Sequence, residues 1–208
     1  MSDIAIIDYG VGNLRSVEKA FAATGNPAIV SRDESVLRQA KGLVLPGVGA
    51  FAACMKALSA RGFDALVLDR RIKGVPLLGV CVGMQMLFEE SDEFGKTQGL
   101  GLLGGCVRRF SDDLAVPHVG WNQIHKRFAH PLLNNIEDHA FFYFVHSYYC
   151  EVNDPTIVVA ETDYGVKYTS VVADDDLFGV QFHPEKSQTA GLRLLSNFAH
   201  RVRFNVWH

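Results

Sequence analysis

A cysteine held between two glycines, in Gly79-Val80-Cys81-Val82-Gly83-Met84-Gln85, constrains this chain more than any other stretch. The apolar run Val75-Pro76-Leu77-Leu78-Gly79-Val80 before it reads as a short buried strand, and Met84-Gln85-Met86-Leu87-Phe88-Glu89-Glu90 after it predicts a helix. Cys81 then falls on a turn so tight that a side chain on either flank would collide with neighbouring backbone, hence the glycines. A cysteine in an arbitrary apolar run packs as a small hydrophobe. On a strand-to-helix turn it meets unpaired helix N–H groups that favour a negatively charged sulfur, and the arrangement reads as a nucleophile elbow.

The rest of the first half repeats the strand–loop–helix theme. Asp3-Ile4-Ala5-Ile6-Ile7-Asp8 predicts a strand buried on both faces, Tyr9-Gly10-Val11-Gly12-Asn13 a glycine-rich turn, and residues 14–24 a helix. Neither G-x-G-x-x-G nor a Walker lysine occurs, which argues against a nucleotide site. Further strands are expected at Ala28-Ile29-Val30 and Lys41-Gly42-Leu43-Val44-Leu45-Pro46, with helices over 53–60 and 63–72. The third strand ends in Pro46-Gly47-Val48-Gly49, where two glycines around one valine give a backbone able to turn an N–H toward a developing oxyanion.

From Gly99 to Phe182 the strand signals become aromatic and alternating with short connections, as in antiparallel structure. Strands are expected at 105–109, 121–125, 141–149, 157–161, 166–173 and 177–183, and an amphipathic helix at 188–202. The fold class is therefore α/β: an open, mostly parallel sheet flanked by helices, with antiparallel strands added in the second half and residues 1–208 as a single domain. At 48% hydrophobic and 21% charged residues the chain is long enough for one buried core, and a net charge of −3 disfavours nucleic acid or anionic membrane as main partner. No apolar run approaches eighteen residues and the N-terminus opens on a strand pattern, so the expected location is cytoplasmic. Cys54, Cys81, Cys106 and Cys150 contain no C-x-x-C pair, which fits free thiols better than disulfides or zinc. His118, His125, His130, His139 and His146 are spaced unsuitably for a metal site, and no cofactor is expected.

The second half supplies a base for the thiol. His183-Pro184-Glu185 follows an expected strand; an imidazole can take the thiol's proton and return it to a leaving amine, and a carboxylate just beyond the proline can bend back to fix its tautomer. Together, Gly79 to Gln85 and His183-Pro184-Glu185 resemble the catalytic signature of class I (triad) glutamine amidotransferases. Four more stretches resemble the glutaminase subunits of imidazole glycerol phosphate synthases: Asp8 to Ser16, Leu45 to Phe51, Val116-Pro117-His118-Val119-Gly120-Trp121-Asn122, and His183 to Gln188. One departure is Gly104-Gly105-Cys106, where that pattern leads us to expect a proline-containing turn.

The resemblance implies that Cys81, His183 and Glu185 form a triad and that Val82 and Val48 supply oxyanion N–H groups. It further implies that Gly47, Gly49, Gln85, Ser147 and Tyr148 contact the substrate L-glutamine, and that Asn13, Arg15, Trp121 and Lys186 face a partner. That partner would be a separate (β/α)₈ cyclase subunit, using the ammonia to form imidazole glycerol phosphate and AICAR in histidine biosynthesis, the present chain being the unfused form. Two other readings compete: a stand-alone cysteine hydrolase of the same fold, and a non-catalytic scaffold.

Overall fold

The computed structural model describes residues 2–204. The first half consists of β1 (Ile4–Ile7), α1 (Leu14–Ala23), β2 (Ala28–Ser31), α2 (Glu34–Gln39), β3 (Gly42–Gly47), α3 (Phe51–Ser59), α4 (Phe63–Ile72), β4 (Leu77–Cys81) and α5 (Val82–Gln85). Then follow β5 (Phe88–Ser91), β6 (Thr97–Gln98), β7 (Leu103–Arg109), β8 (His118–Gln123), β9 (His125–Lys126), β10 (Phe141–His146), β11 (Tyr148–Val152), β12 (Val158–Asp163), β13 (Lys167–Asp174), β14 (Leu177–Val180) and α6 (Gln188–Phe204). The main sheet runs β2-β1-β3-β4-β14-β13-β11-β7-β5-β6. Its first five strands are mutually parallel, and antiparallel pairs begin at β14–β13. The parallel strands β1, β3, β4 and β14 are buried along their whole lengths, as strands covered on both faces must be. α1 packs on α6, while α3 packs on α4, and Phe198 of α6 meets Phe21 and Phe178 edge-on. No helix among the described residues is long and apolar enough to cross a membrane.

Several expected boundaries change. The helix expected over 84–90 is a single turn, followed by strand β5. Met84, Met86, Leu87 and Phe88 are all fully buried, so a longer helix here would have no polar face. The carbonyls of Met86, Leu87 and Phe88 instead accept hydrogen bonds from the amides of Leu100, Leu102, Leu103 and Gly101. The strand expected over 141–149 is two strands that break at Ser147: β10 pairs with β8 in a separate ribbon, and β11 joins the main sheet. The segment 121–125 divides likewise into β8 and β9, and the last strand stops at Val180 so that His183 can leave the sheet. Gly104-Gly105-Cys106 lies within β7, beside a register shift against β5. Gly105 has φ +135°, and a Cβ there would overlap the Glu151 carbonyl oxygen, so the strand irregularity itself requires glycine. Helix α2 was not anticipated; it buries only Leu37, and its one local signal is Asp33, whose carboxylate caps the Ser35 amide.

Candidate active site

Parallel strands deliver their carboxyl ends to one edge of the sheet, and in this fold class that edge is where ligands bind. β3 ends there at Gly47, β4 at Cys81, and the chain beyond β14 carries His183. Cys81 has φ 55° and ψ −115°, a conformation costing a non-glycine residue on the order of 1–3 kcal/mol. Its neighbours show how it is held. A Cβ on Gly79 would stand 2.7 Å from the Gly83 carbonyl oxygen, and one on Gly83 would overlap the Leu45 carbonyl oxygen. Strand, turn and the end of β3 are thus packed backbone on backbone.

His183 and Glu185 meet Cys81 from the other side. The Nδ1–H of His183 donates to Glu185 Oε1 at 2.9 Å, which leaves Nε2 for the sulfur; the two side chains are 4% and 1% exposed. The backbone around them is fixed as well: the His183 amide donates to the Tyr143 carbonyl at 2.9 Å, and Ser187 Oγ donates to the His183 carbonyl at 2.6 Å. Burial alone would push His183 down. Its hydrogen bonds to the Cys81 sulfur and to Glu185, with their charges, overturn that and raise it to about 10, so the imidazolium is the favoured form. Glu185 Oε2 is buried without a hydrogen-bond partner among the described residues.

Cys81 and His183 open onto a cavity of about 480 Å³, lined also by Val48, Gly49, Val82, Gln85, Glu93, Pro117, Val145, His146, Ser147, Tyr148 and Lys186. Of the expected substrate contacts, Gly49, Gln85, Ser147 and Tyr148 are on its wall. Gly47 lies behind it, paired in register with Cys81, where a Cβ would come 2.6 Å from the Gly83 amide nitrogen. Gln85 is 3% exposed, and its Nε2 donates to the Tyr148 carbonyl at 3.0 Å and to Gln181 Oε1 at 3.1 Å.

Three residues of the site escape a sequence reading. Gln181 is fully buried and places its Nε2 3.9 Å from the Cys81 sulfur. Glu93 brings a carboxylate to the cavity wall and also accepts the Phe51 amide at the start of α3. His146 is buried against the wall, its Nδ1–H donating to the Tyr148 carbonyl at 2.8 Å. Burial pushes it down to about 3, the charges of His118 and His183 acting in the same direction, so it stays neutral. Only Gln181, two residues before His183, had a signal close to a motif.

The expected partner-facing residues lie on the same side. Asn13 precedes α1 at the carboxyl end of β1, and Arg15 is exposed one residue into that helix. In the β8–β10 ribbon His118, Phe142, Phe144 and His146 are buried, while Val119, Trp121 and Phe141 on the other face are 56%, 46% and 54% exposed. Trp121 meets the Tyr143 ring edge-on, and Lys186 Nζ sits 5.5 Å from the centre of that ring.

Comparison with known proteins gives consistent results. The family described as "Glutamine amidotransferase class-I" matches residues 5–202. The "Imidazole glycerol phosphate synthase subunit HisH" of Desulfitobacterium hafniense is 49% identical over 195 residues, spanning 94% of this chain and 92% of that protein. The protein of the same name from Nitrosomonas europaea is 47% identical over 209 residues, spanning 95% and 98%. Among solved structures, a glutamine amidotransferase superposes with a TM-score of 0.77 at 21% identity, covering 96% of this chain and 98% of that one. A glutamine amidotransferase from Thermotoga maritima gives 0.67 at 16% identity, covering 96% of each. At those identities the structures speak to the fold alone.

Proposed function

Because the chain belongs to the class I glutamine amidotransferases and, within them, to the HisH subunits of imidazole glycerol phosphate synthase, we propose that its Cys81 site hydrolyses L-glutamine and passes the ammonia to a separate cyclase subunit for histidine biosynthesis. The observation that carries this reading is the convergence, at one cavity of about 480 Å³, of a strained cysteine, an imidazole raised to about 10 and a buried carboxylate.

In this scheme the Cys81 sulfur attacks the side-chain amide carbon of glutamine, and the resulting oxyanion is held by the N–H groups of Val82 and Val48. The close packing of Gly47 on Val82 and Gly83 supports that pairing, because it brings the two donor segments together. The imidazolium of His183 gives its proton to the departing nitrogen, releasing ammonia and leaving a γ-glutamyl thioester. Acylation consumes the sulfur charge that had helped to raise His183, so the imidazole is then free to take a proton from water, and the hydroxide releases glutamate. Glu93 supplies a carboxylate for the substrate's α-ammonium group, with Gln85, Ser147, Tyr148 and Gly49 along the remaining wall.

Ammonia becomes ammonium in water and loses its nucleophilicity, so its release is useful only beside an acceptor. The exposed Val119, Trp121 and Phe141 face, with Lys186 at the cavity rim, supports docking of the cyclase there, and Asn13 and Arg15 complete the same edge. The cysteines, none of them in a disulfide, fit a reducing cytosol. The test uses the two-subunit complex. Cys81→Ala should abolish glutamine hydrolysis and glutamine-dependent synthesis while sparing synthesis from ammonium salts; glutaminase activity surviving in Cys81→Ala would refute the assignment.

A further inference from the structure

Beneath the Pro46-Gly47-Val48-Gly49 loop lie two side chains that the catalytic scheme leaves idle. Tyr9, 2% exposed, donates its hydroxyl to the Pro46 carbonyl at 2.6 Å. Cys54 of α3, fully buried, donates its thiol to the Val48 carbonyl at 3.3 Å. The hydroxyl and the thiol also touch each other, and burial pushes both upward, so each keeps the hydrogen it donates.

A trans peptide carries its C=O and N–H on opposite sides of one plane. Tethering the Pro46 oxygen therefore adds to the β3–β4 pairing in holding the Pro46–Gly47 peptide, and tethering the Val48 oxygen fixes the Val48–Gly49 peptide. Between them lies the one peptide that bears the Val48 N–H. Beyond the end of β3 the chain would be loose: Gly49 has φ +85° with open space around its Cβ position, and Val48 is 37% exposed. We infer that Tyr9 and Cys54 are positioning residues for oxyanion stabilisation. Their two carbonyl tethers confine reorientation of the loop to the Gly47–Val48 peptide and so set where the Val48 N–H meets the Cys81 adduct. The inference rests on the glutaminase reading above and adds to it the part that holds the second donor.

The experiment compares Cys54→Ala, Cys54→Ser and Tyr9→Phe with wild type in the complex with the cyclase subunit. It measures steady-state glutamine hydrolysis alongside the rate of Cys81 alkylation by iodoacetamide, a reaction that forms no oxyanion. Loss of an oxyanion donor outright costs about 10²–10³ in kcat, and loosening one should cost about tenfold. Cys54→Ala and Tyr9→Phe should therefore lower kcat about tenfold, with KM and alkylation rate within about twofold of wild type. Cys54→Ser, whose hydroxyl can still donate to Val48, should recover most of that loss. Wild-type kcat in both Cys54→Ala and Tyr9→Phe, or alkylation falling in step with kcat, would overturn the inference. A wild-type complex inert toward glutamine would instead overturn the functional reading beneath it.

Discussion

Glu185→Gln separates the charge of the third triad member from its shape. The glutamine Oε1 can still accept from His183 Nδ1–H, and the new amide nitrogen replaces Oε2, the oxygen without a partner, so no existing hydrogen bond is broken. What disappears is a negative charge that is 1% exposed. Raising His183 from its ordinary 6.5 to about 10 corresponds to roughly 5 kcal/mol in favour of imidazolium. Burial opposes that preference, and Cys81 and Glu185 share in supplying it, Cys81 more than Glu185. Removing that charge should bring the His183 titration down from about 10 toward its ordinary 6.5 and lower kcat for glutamine about tenfold, with KM unchanged. Stability should fall, because the substitution takes a counter-charge away from a buried imidazolium. The assay is NMR titration of the His183 imidazole, with melting temperature measured in parallel. A His183 titration identical to wild type would refute the assignment of charge stabilisation to Glu185.

Two other outcomes follow from the same geometry. Burial holds His118 down to about 4 and His146 to about 3, each bonded within the cluster formed with Tyr168. Both groups bind protons more weakly folded than unfolded, so the stability they supply is present above about pH 6.5 and is lost as pH falls toward 4. The melting temperature should drop steeply over that interval, and His146→Asn should flatten the slope by about one proton; an unaltered slope would contradict the assignment. His183 has the opposite sign: its contribution is full below about pH 6.5 and is lost as pH rises through about 10. Trp121→Ala should cost the fold less than about 1 kcal/mol, the residue being 46% exposed, yet weaken cyclase binding about 30-fold or more. Titration calorimetry alongside thermal melting checks this, and a lowered melting temperature with unchanged affinity would count against the docking face.

What could be read from the sequence was local. β1, β3 and β4 are continuous apolar runs ending in glycine or proline turns, a pattern that needs no partner to be recognised. Residues 84–90 could not be read this way. Their composition suits a helix, and their fate was decided by amides at 100–103 that capture three of their carbonyls. The split at Ser147 is likewise a choice between two sheets, which alternation along one strand does not encode. At the site, Cys81, His183 and Glu185 each sit in a short motif at a strand end that a sequence reading can single out; the fold puts Cys81 and His183 on one cavity wall, with Glu185 bonded to His183. Gln181 meets Cys81 across one hundred positions, and Glu93 and His146 reach the cavity from irregular or aromatic stretches whose sequence suggests packing alone.

The division of labour between the halves follows from these placements. The parallel strands present a nucleophile and the start of a base motif at one edge, but they provide no wall opposite. The antiparallel second half supplies it: Pro117, Val145 and His146 close the cavity, and the same ribbon turns Val119, Trp121 and Phe141 outward. Tyr143 belongs to both sides of this arrangement. Its carbonyl accepts the His183 amide at 2.9 Å, its amide is held by Ser187 Oγ at 3.0 Å, and its ring lies between Trp121 and Lys186. The exposed apolar face and the base are therefore joined through one residue.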